Sequence, residues 1–179
     1  MRWGLDSAYP PSWSRAQAWF NDGWSFFGGY IGGDALNVWT NADWARVTAA
    51  GFQPLPIWVG PTALGPGRDM GVADGNAALT RLQELNLSTV ALDLENSLAP
   101  IEYARGFADA INAGSARAIL YGAPRTLLEL VGQGFAHWWL ASWPTKGQRV
   151  TAAPPDWSLW QYATGPEADF NCCVDDVIF

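Results

Sequence analysis

Short apolar runs alternate regularly with amphipathic segments along the chain. This alternation is typical of α/β proteins, in which helices join the strands of a mainly parallel sheet. The apolar runs predict strands at residues 3–9, 26–31, 53–59, 89–95, 116–121, 137–143, 158–162 and 173–179. The amphipathic segments predict helices that begin near residue 12 and near residue 41 or 42, and helices at 71–85, 101–113 and 125–132.

Eight candidate strands and five candidate helices within 179 residues predict a reduced β/α barrel. A standard TIM barrel needs about 250 residues, so some helices of this chain must be short or missing. The stretch 144–157 has no helical pattern and is expected to be a loop. The predicted fold class is therefore α/β, a single TIM-like barrel domain over residues 1–179. The alternative is an open doubly wound sheet, but no glycine-rich nucleotide loop follows the first strand.

The charge balance argues against several classes of partner. The chain has ten Lys and Arg residues and a net charge of −7, whereas nucleic-acid binders draw much of their affinity from basic residues. No apolar run reaches the roughly 20 residues of a membrane-spanning helix, and the N-terminus lacks the pattern of a signal peptide. We therefore expect no nucleic-acid partner and no membrane span.

The chain lacks the residues that a structural zinc site or a serine nucleophile would need. The chain has two cysteines, Cys172 and Cys173, and one histidine, His137, which is too few for the four ligands of a structural zinc site. The Gly-x-Ser-x-Gly turn of many serine hydrolases is missing. We expect no metal and no cofactor, and we interpret His137 as a packed residue rather than a catalytic base.

The segment 89–95 carries the candidate catalytic pair, Asp93 and Glu95. Side chains alternate between faces along a strand, so the Val and Leu residues at 90, 92 and 94 are expected to pack against helices. Asp93 and Glu95 share the other face, at the strand end where barrel enzymes place their chemistry. Neighbouring carboxylates resist ionising together, so one of them should have the raised pKa of a general acid. The alternative is a structural pair, solvated or neutralised by Arg.

Asp6 stands at the equivalent place in the first predicted strand. On the inward face of a barrel it would lie at the same level as the acid pair, and there it could hydrogen-bond the pair or position a sugar hydroxyl. The alternative is that Asp6 caps the turn before Pro10 and Pro11.

Aromatic residues lie near many of the predicted strand ends, and the chain has twelve tryptophans. Aromatic faces can stack on the apolar faces of sugar rings, and ligand sites are mostly apolar clefts with a few polar groups. The candidates for substrate contact are Tyr30, Trp58, Tyr121, Trp139, Trp143 and Tyr162. Core packing is the alternative for each of them.

A series of short motifs, in order along nearly the whole chain, adds a resemblance to this reading. The motifs are Gly4-Leu5-Asp6-Ser7, Gly29-Tyr30-Ile31-Gly32-Gly33, Pro56-Ile57-Trp58-Val59-Gly60, Leu92-Asp93-Leu94-Glu95, Leu120-Tyr121-Gly122, Trp139-Leu140-Ala141-Ser142-Trp143, Trp160-Gln161-Tyr162 and Val174-Asp175-Asp176. With them, the chain resembles the glycoside-hydrolase-like domains of actinobacterial and bacteriophage proteins, which are related to the family 25 lysozymes (muramidases). It departs from the lysozymes at Ser7, where they usually carry a β-branched or aliphatic residue.

The resemblance implies a modified β/α barrel and a polysaccharide substrate, the glycan strand of peptidoglycan. It implies that Glu95 is the general acid, and that Asp93 stabilises developing charge or orients the N-acetyl group of the substrate. Asp6 and an acid near the last strand complete the implied site. Asp175 fits the spacing of that last acid better than Asp169. Gln161 joins the implied substrate-binding residues through its motif.

Two functions follow as expectations. The first is a muramidase-like glycosidase that acts outside the cell, in the cell wall or as part of a phage. The second is a catalytically weak or inactive carbohydrate-binding or structural barrel, such as a virion or wall-associated component. In either case the chain could act within a larger assembly or beside a separate wall-binding module.

Overall fold

Eight strands close into one barrel in the order of the chain. The computed structural model describes residues 1–62, 65–95, 101–142 and 157–174. The strands are β1 (Arg2–Asp6), β2 (Phe26–Gly33), β3 (Gln53–Val59), β4 (Thr89–Asp93), β5 (Arg117–Gly122), β6 (Trp138–Ala141), β7 (Leu159–Ala163) and β8 (Asp169–Cys173). Strands β1 to β7 run parallel, and β8 is antiparallel to both of its neighbours, β7 and β1. The predicted α/β class and TIM-like barrel are confirmed.

The last strand lies earlier in the chain than predicted. The prediction put it at residues 173–179, but β8 is Asp169–Cys173, and residues 175–179 lie outside the described part of the chain. Strand β8 was missed because Asp169 and Asn171 alternate with apolar residues in a short segment that looks like a polar turn. Its pairing with β1, from Asp6↔Asp169 to Arg2↔Cys173, closes the barrel.

Five helices are described between the strands, and they confirm that the barrel is reduced. They are α1 (Trp13–Asn21), α2 (Asn41–Ala49), α3 (Arg68–Leu85), α4 (Ile101–Ala113) and α5 (Pro124–Leu128). The side chain of Thr40 accepts a hydrogen bond from the Asp43 backbone, and the Asp43 side chain accepts one from the Thr40 backbone, so α2 begins at a full capping box. None of the described helices is both long and apolar enough to cross a membrane. The predicted loop at 144–157 lies almost wholly outside the described residues.

The strands have one apolar layer outside the barrel and one inside it, as the alternation in β4 predicted. Val90 and Leu92 pack in the outer layer with the helices, whereas Ala91 lies inside the barrel. The interior is filled by Phe26, Leu55, Ile57, Ala91, Ile119, Trp139, Leu159 and Cys173. Because these side chains fill the interior, the barrel is a packed core and its polar groups collect at one end.

Candidate active site

Four acidic side chains meet at one mouth of the barrel. Asp6 and Asp93 are the last residues of β1 and β4, and Glu95 follows two residues after Asp93. These are the carboxyl ends of parallel strands, where barrel enzymes place their chemistry. Strand β8 runs the other way, so its first residue, Asp169, lies at the same mouth and pairs directly with Asp6.

Two buried amide side chains hold Asp6 in place. Gln161 Nε2 and Asn171 Nδ2 donate hydrogen bonds to Asp6 Oδ2, at 3.0 and 2.6 Å. Gln161 Nε2 also lies 3.4 Å from Asp169 Oδ2. Asn171 Oδ1 in turn accepts a hydrogen bond from the indole of Trp139 at 3.0 Å. The acids of β1 and β8 are therefore tied to each other through side chains of β7 and β8.

Tyr121 connects this network to Glu95. Its hydroxyl oxygen lies 2.9 Å from Gln161 Oε1 and 3.2 Å from Glu95 Oε2. Its ring packs on Trp139 with a centroid distance of 4.7 Å. The backbone N–H of Glu95 donates to Asp93 Oδ1 at 2.8 Å, so Asp93 and Glu95 stand side by side rather than across a cleft.

Burial and mutual repulsion make these acids weak. Burial raises the pKa of Asp93 to about 7, with further contributions from the charges of Glu95 and Asp6. Burial raises the pKa of Asp6 to about 6, even though the Asn171 and Gln161 hydrogen bonds lower it. Burial and the charge of Asp6 raise the pKa of Asp169 to about 7. Burial raises the pKa of Glu95, and a hydrogen bond donated by Tyr121 lowers it. A site of this kind can hold and release protons near neutral pH.

Two further aromatic residues predicted to bind substrate lie near the acids. Tyr30 is partly buried and packs against the interior cluster, and the charges of all four acids join burial in raising its pKa. Trp139 is fully buried beneath the site, where it supports Tyr121 and Asn171. Of the predicted aromatics that the structure describes, Tyr30 and Tyr121 are therefore the two beside the carboxyl groups.

The structure does not bring Trp58 and Tyr162 to the mouth. Trp58 packs against Phe107 of α4, with ring centroids 6.4 Å apart, and Tyr162 is fully buried in the outer layer against Phe170. Strand alternation is the reason, because their neighbours Ile57 and Gln161 are the residues that point inward. Trp143 and Asp175, also predicted for the site, lie outside the described residues.

Asn171 is the site residue that the sequence analysis missed. Asp169 and Asn171 are two apart, the same spacing as Asp93 and Glu95, and this spacing puts both on one face of a strand. The signal was present in the sequence but required the last strand to begin at Asp169. Within the described residues, no group of three or more His, Cys, Asp or Glu side chains is arranged to hold a metal ion.

Comparison with solved structures finds the same barrel fold in several proteins. An uncharacterized protein from B. stearothermophilus is 18% identical with a TM-score of 0.76, over 98% of this chain and 97% of that one. A muramidase from Trichobolus zukalii is 16% identical with a TM-score of 0.71, over 99% and 95%. The lysozyme from Streptomyces coelicolor is 19% identical with a TM-score of 0.67, over 98% and 93%.

No protein-family model and no curated protein sequence matches the chain. The likeness is therefore one of fold, carried over nearly the full length of this chain and of those three structures. The chain has the barrel fold of the lysozymes and muramidases, which confirms the resemblance predicted from its ordered motifs.

Proposed function

We propose that this protein is a glycoside hydrolase that cleaves the glycan strand of peptidoglycan, with Glu95 as the general acid. The observation that carries the proposal is the cluster of four carboxyl groups with raised pKa values at the carboxyl-end mouth of the barrel. Barrel enzymes use this mouth for chemistry, and glycosidases rely on carboxyl groups of raised pKa. The muramidase and lysozyme of similar fold suggest the substrate.

Glu95 suits the role of acid because it is less buried than Asp93, which is 8% exposed. It would donate its proton to the glycosidic oxygen while the bond between that oxygen and the anomeric carbon breaks. Water would then attack the anomeric carbon and return a proton to the Glu95 carboxylate. The same group thus serves as acid and then as base.

Asp93 suits an orienting role because it lies beside Glu95 rather than opposite it. Two carboxyl groups that flank the bond from opposite sides are the usual arrangement in glycosidases. A side-by-side pair fits substrate assistance better. In that mechanism the N-acetyl carbonyl oxygen of the substrate stabilises the positive charge at the anomeric carbon until water attacks there. Asp93 would accept a hydrogen bond from the N–H of that group and hold it in position.

The remaining acids would add negative charge to the mouth wherever they are ionised, and that charge favours an oxocarbenium-like transition state. Asp6 and Asp169 are held there by Gln161 and Asn171. Tyr30 and Tyr121 would contact the sugar, and a role for Asp175 stays a prediction. The proposal places the protein where peptidoglycan is accessible, in the cell wall or on a phage particle.

The test is the release of reducing ends from purified peptidoglycan by the wild type, Glu95→Gln and Glu129→Gln. Glu129 is exposed on the outside of the barrel, so its variant controls for the loss of a glutamate. We expect Glu95→Gln to lose activity by about 100-fold or more, while Glu129→Gln matches the wild type. Mass spectrometry of the products then identifies the sugar at the new reducing end. A wild type that releases nothing between pH 4 and 8 would refute the hydrolase and leave a binding or structural barrel.

A further inference from the structure

Three hydrogen-bonding contacts, through the side chains of Gln161 and Tyr121, link Asp6 to Glu95. Gln161 Nε2 lies 3.0 Å from Asp6 Oδ2, Gln161 Oε1 lies 2.9 Å from the Tyr121 hydroxyl, and that hydroxyl lies 3.2 Å from Glu95 Oε2. Gln161 is 1% exposed, so bulk water does not replace these partners. Each link has a direction, because each bond uses one proton.

The direction at Gln161 is set by two carboxyl groups. Its Nε2 faces Asp6 and Asp169, at 3.0 and 3.4 Å. The indole of Trp139 can only donate, to Asn171 Oδ1, so Asn171 Nδ2 donates to Asp6 Oδ2. Asp6 Oδ2 is therefore an acceptor, and the reverse orientation of the Gln161 amide would put two acceptor oxygens against each other. Gln161 Oε1 therefore faces Tyr121, and this oxygen can only accept.

The direction at Tyr121 follows from that of Gln161. A phenol has one proton to donate, and the 2.9 Å contact with Gln161 Oε1, the shorter of its two contacts, is a hydrogen bond only when Tyr121 donates that proton. The second contact of the Tyr121 oxygen, with Glu95 Oε2, is then a hydrogen bond only when Glu95 is the donor. Every contact from Asp6 to Glu95 is thus a hydrogen bond when Glu95 carries a proton.

We propose that Gln161 and Tyr121 are positioning residues that hold Glu95 in its protonated form and aim that proton. Ionisation of Glu95 would turn the Tyr121 proton toward the new carboxylate and withdraw it from Gln161. The inference rests on the proposed function for its catalytic meaning, since a general acid must carry its proton before substrate binds.

The charged surroundings of Glu95 act in the same direction. Asp93 on β4, Asp6 on β1 and Asp169 on β8 are the acidic groups that face it, and Tyr30 and Tyr121 are the phenols. The hydrogen-bond effect must therefore be separated from the effect of these charges. Gln161 contacts both Asp6 and Tyr121, so a single substitution does not separate them.

The experiment is a titration of the Glu95 side chain by carbon-13 NMR, in protein labelled at the glutamate carboxyl carbons. The chain has five glutamates, and Glu95→Gln identifies the signal of Glu95. The four proteins compared are the wild type, Gln161→Met, Tyr121→Phe and the double variant. Methionine has a similar shape to glutamine but no amide group.

We expect Gln161→Met to lower the pKa of Glu95 by roughly one unit, because Tyr121 is then free to donate to the carboxylate. Tyr121→Phe should change this pKa little, since both charge states of Glu95 lose their partner. In the double variant the effect of Gln161→Met should disappear. If its effect persists without the Tyr121 hydroxyl, it acts through the charges of Asp6 and Asp169, and the proposal is wrong.

The opposite proton direction predicts a different result. If Tyr121 donates to an ionised Glu95 in the wild type, Tyr121→Phe should raise the pKa of Glu95 by about one unit. This variant keeps the aromatic ring and decides the question alone if Gln161→Met does not fold.

The titration needs no turnover, so its outcome is independent of whether peptidoglycan is hydrolysed. If the protein is active, the alkaline limb of the pH–rate profile of Gln161→Met should move to lower pH by the same amount as the Glu95 signal. A purely structural role for Gln161 would lower the rate at every pH without moving this limb.

Discussion

At the scale of residues, the site depends on which face of a strand each side chain occupies. Asp93 and Glu95 could be predicted because two acids, two apart, ended an otherwise apolar strand. Asn171 could not, because the strand that carries it was placed too late in the chain. Trp58 was expected to contact substrate, but the structure packs it against α4, since its strand neighbour Ile57 is the residue that enters the barrel. Composition pointed to an aromatic cleft but could not choose between the two faces.

The orienting role proposed for Asp93 gives a prediction at this scale. Asp93→Asn keeps the shape of the side chain but removes its charge and one acceptor, so the N-acetyl group would no longer be oriented. We expect the rate of peptidoglycan cleavage to fall by about 100-fold, with little change in substrate binding. Steady-state rates against those of Asp69→Asn, an exposed acid in the first turn of α3, measure the effect. An Asp93→Asn protein of full activity would remove Asp93 from the mechanism.

At the scale of elements, glycines let two helices touch. A Cβ atom on Gly71 of α3 would lie 2.1 Å from the carbonyl oxygen of Tyr103, and one on Gly106 of α4 would lie 2.2 Å from that of Arg68. The backbones of α3 and α4 are therefore in direct contact. The amphipathic pattern of the sequence predicted both helices, with α4 at its observed bounds. The contact between them could not be predicted from either helix alone.

Gly106→Ala tests this contact. The added methyl group meets backbone, which cannot rotate away, so the helices must move apart. We expect a loss of about 1–3 kcal/mol in the free energy of unfolding, measured by urea denaturation. Gly67→Ala is the control, because a Cβ there meets no atom within 4 Å. Equal stability of the two variants would mean that α4 shifts freely.

At the scale of the whole molecule, the antiparallel β8 is what completes the site. A parallel eighth strand would bring its last residue to the mouth, whereas β8 brings its first, Asp169, beside Asp6. The sequence predicted eight strands and a barrel, but strand direction depends on how the chain returns after β7, which no periodicity records. This arrangement brings several buried acids together in the folded protein, and their repulsion reduces its stability when they ionise.

The raised pKa values of these buried acids predict how the stability of the protein depends on pH. The folded state raises the pKa of Asp6 from 3.8 to about 6, and those of Asp93 and Asp169 from 3.8 to about 7. Between these values the folded protein binds more protons than the unfolded chain, so the free energy of unfolding falls as pH rises. The contribution of these three acids to stability is complete below about pH 4 and lost by about pH 8, and each unit of pKa shift corresponds to about 1.4 kcal/mol.

Urea denaturation should therefore show a more stable protein at pH 5 than at pH 8. Asp93→Asn should flatten this dependence by removing the titration of Asp93. Greater stability at pH 8 would mean that the acids are solvated rather than buried at the mouth.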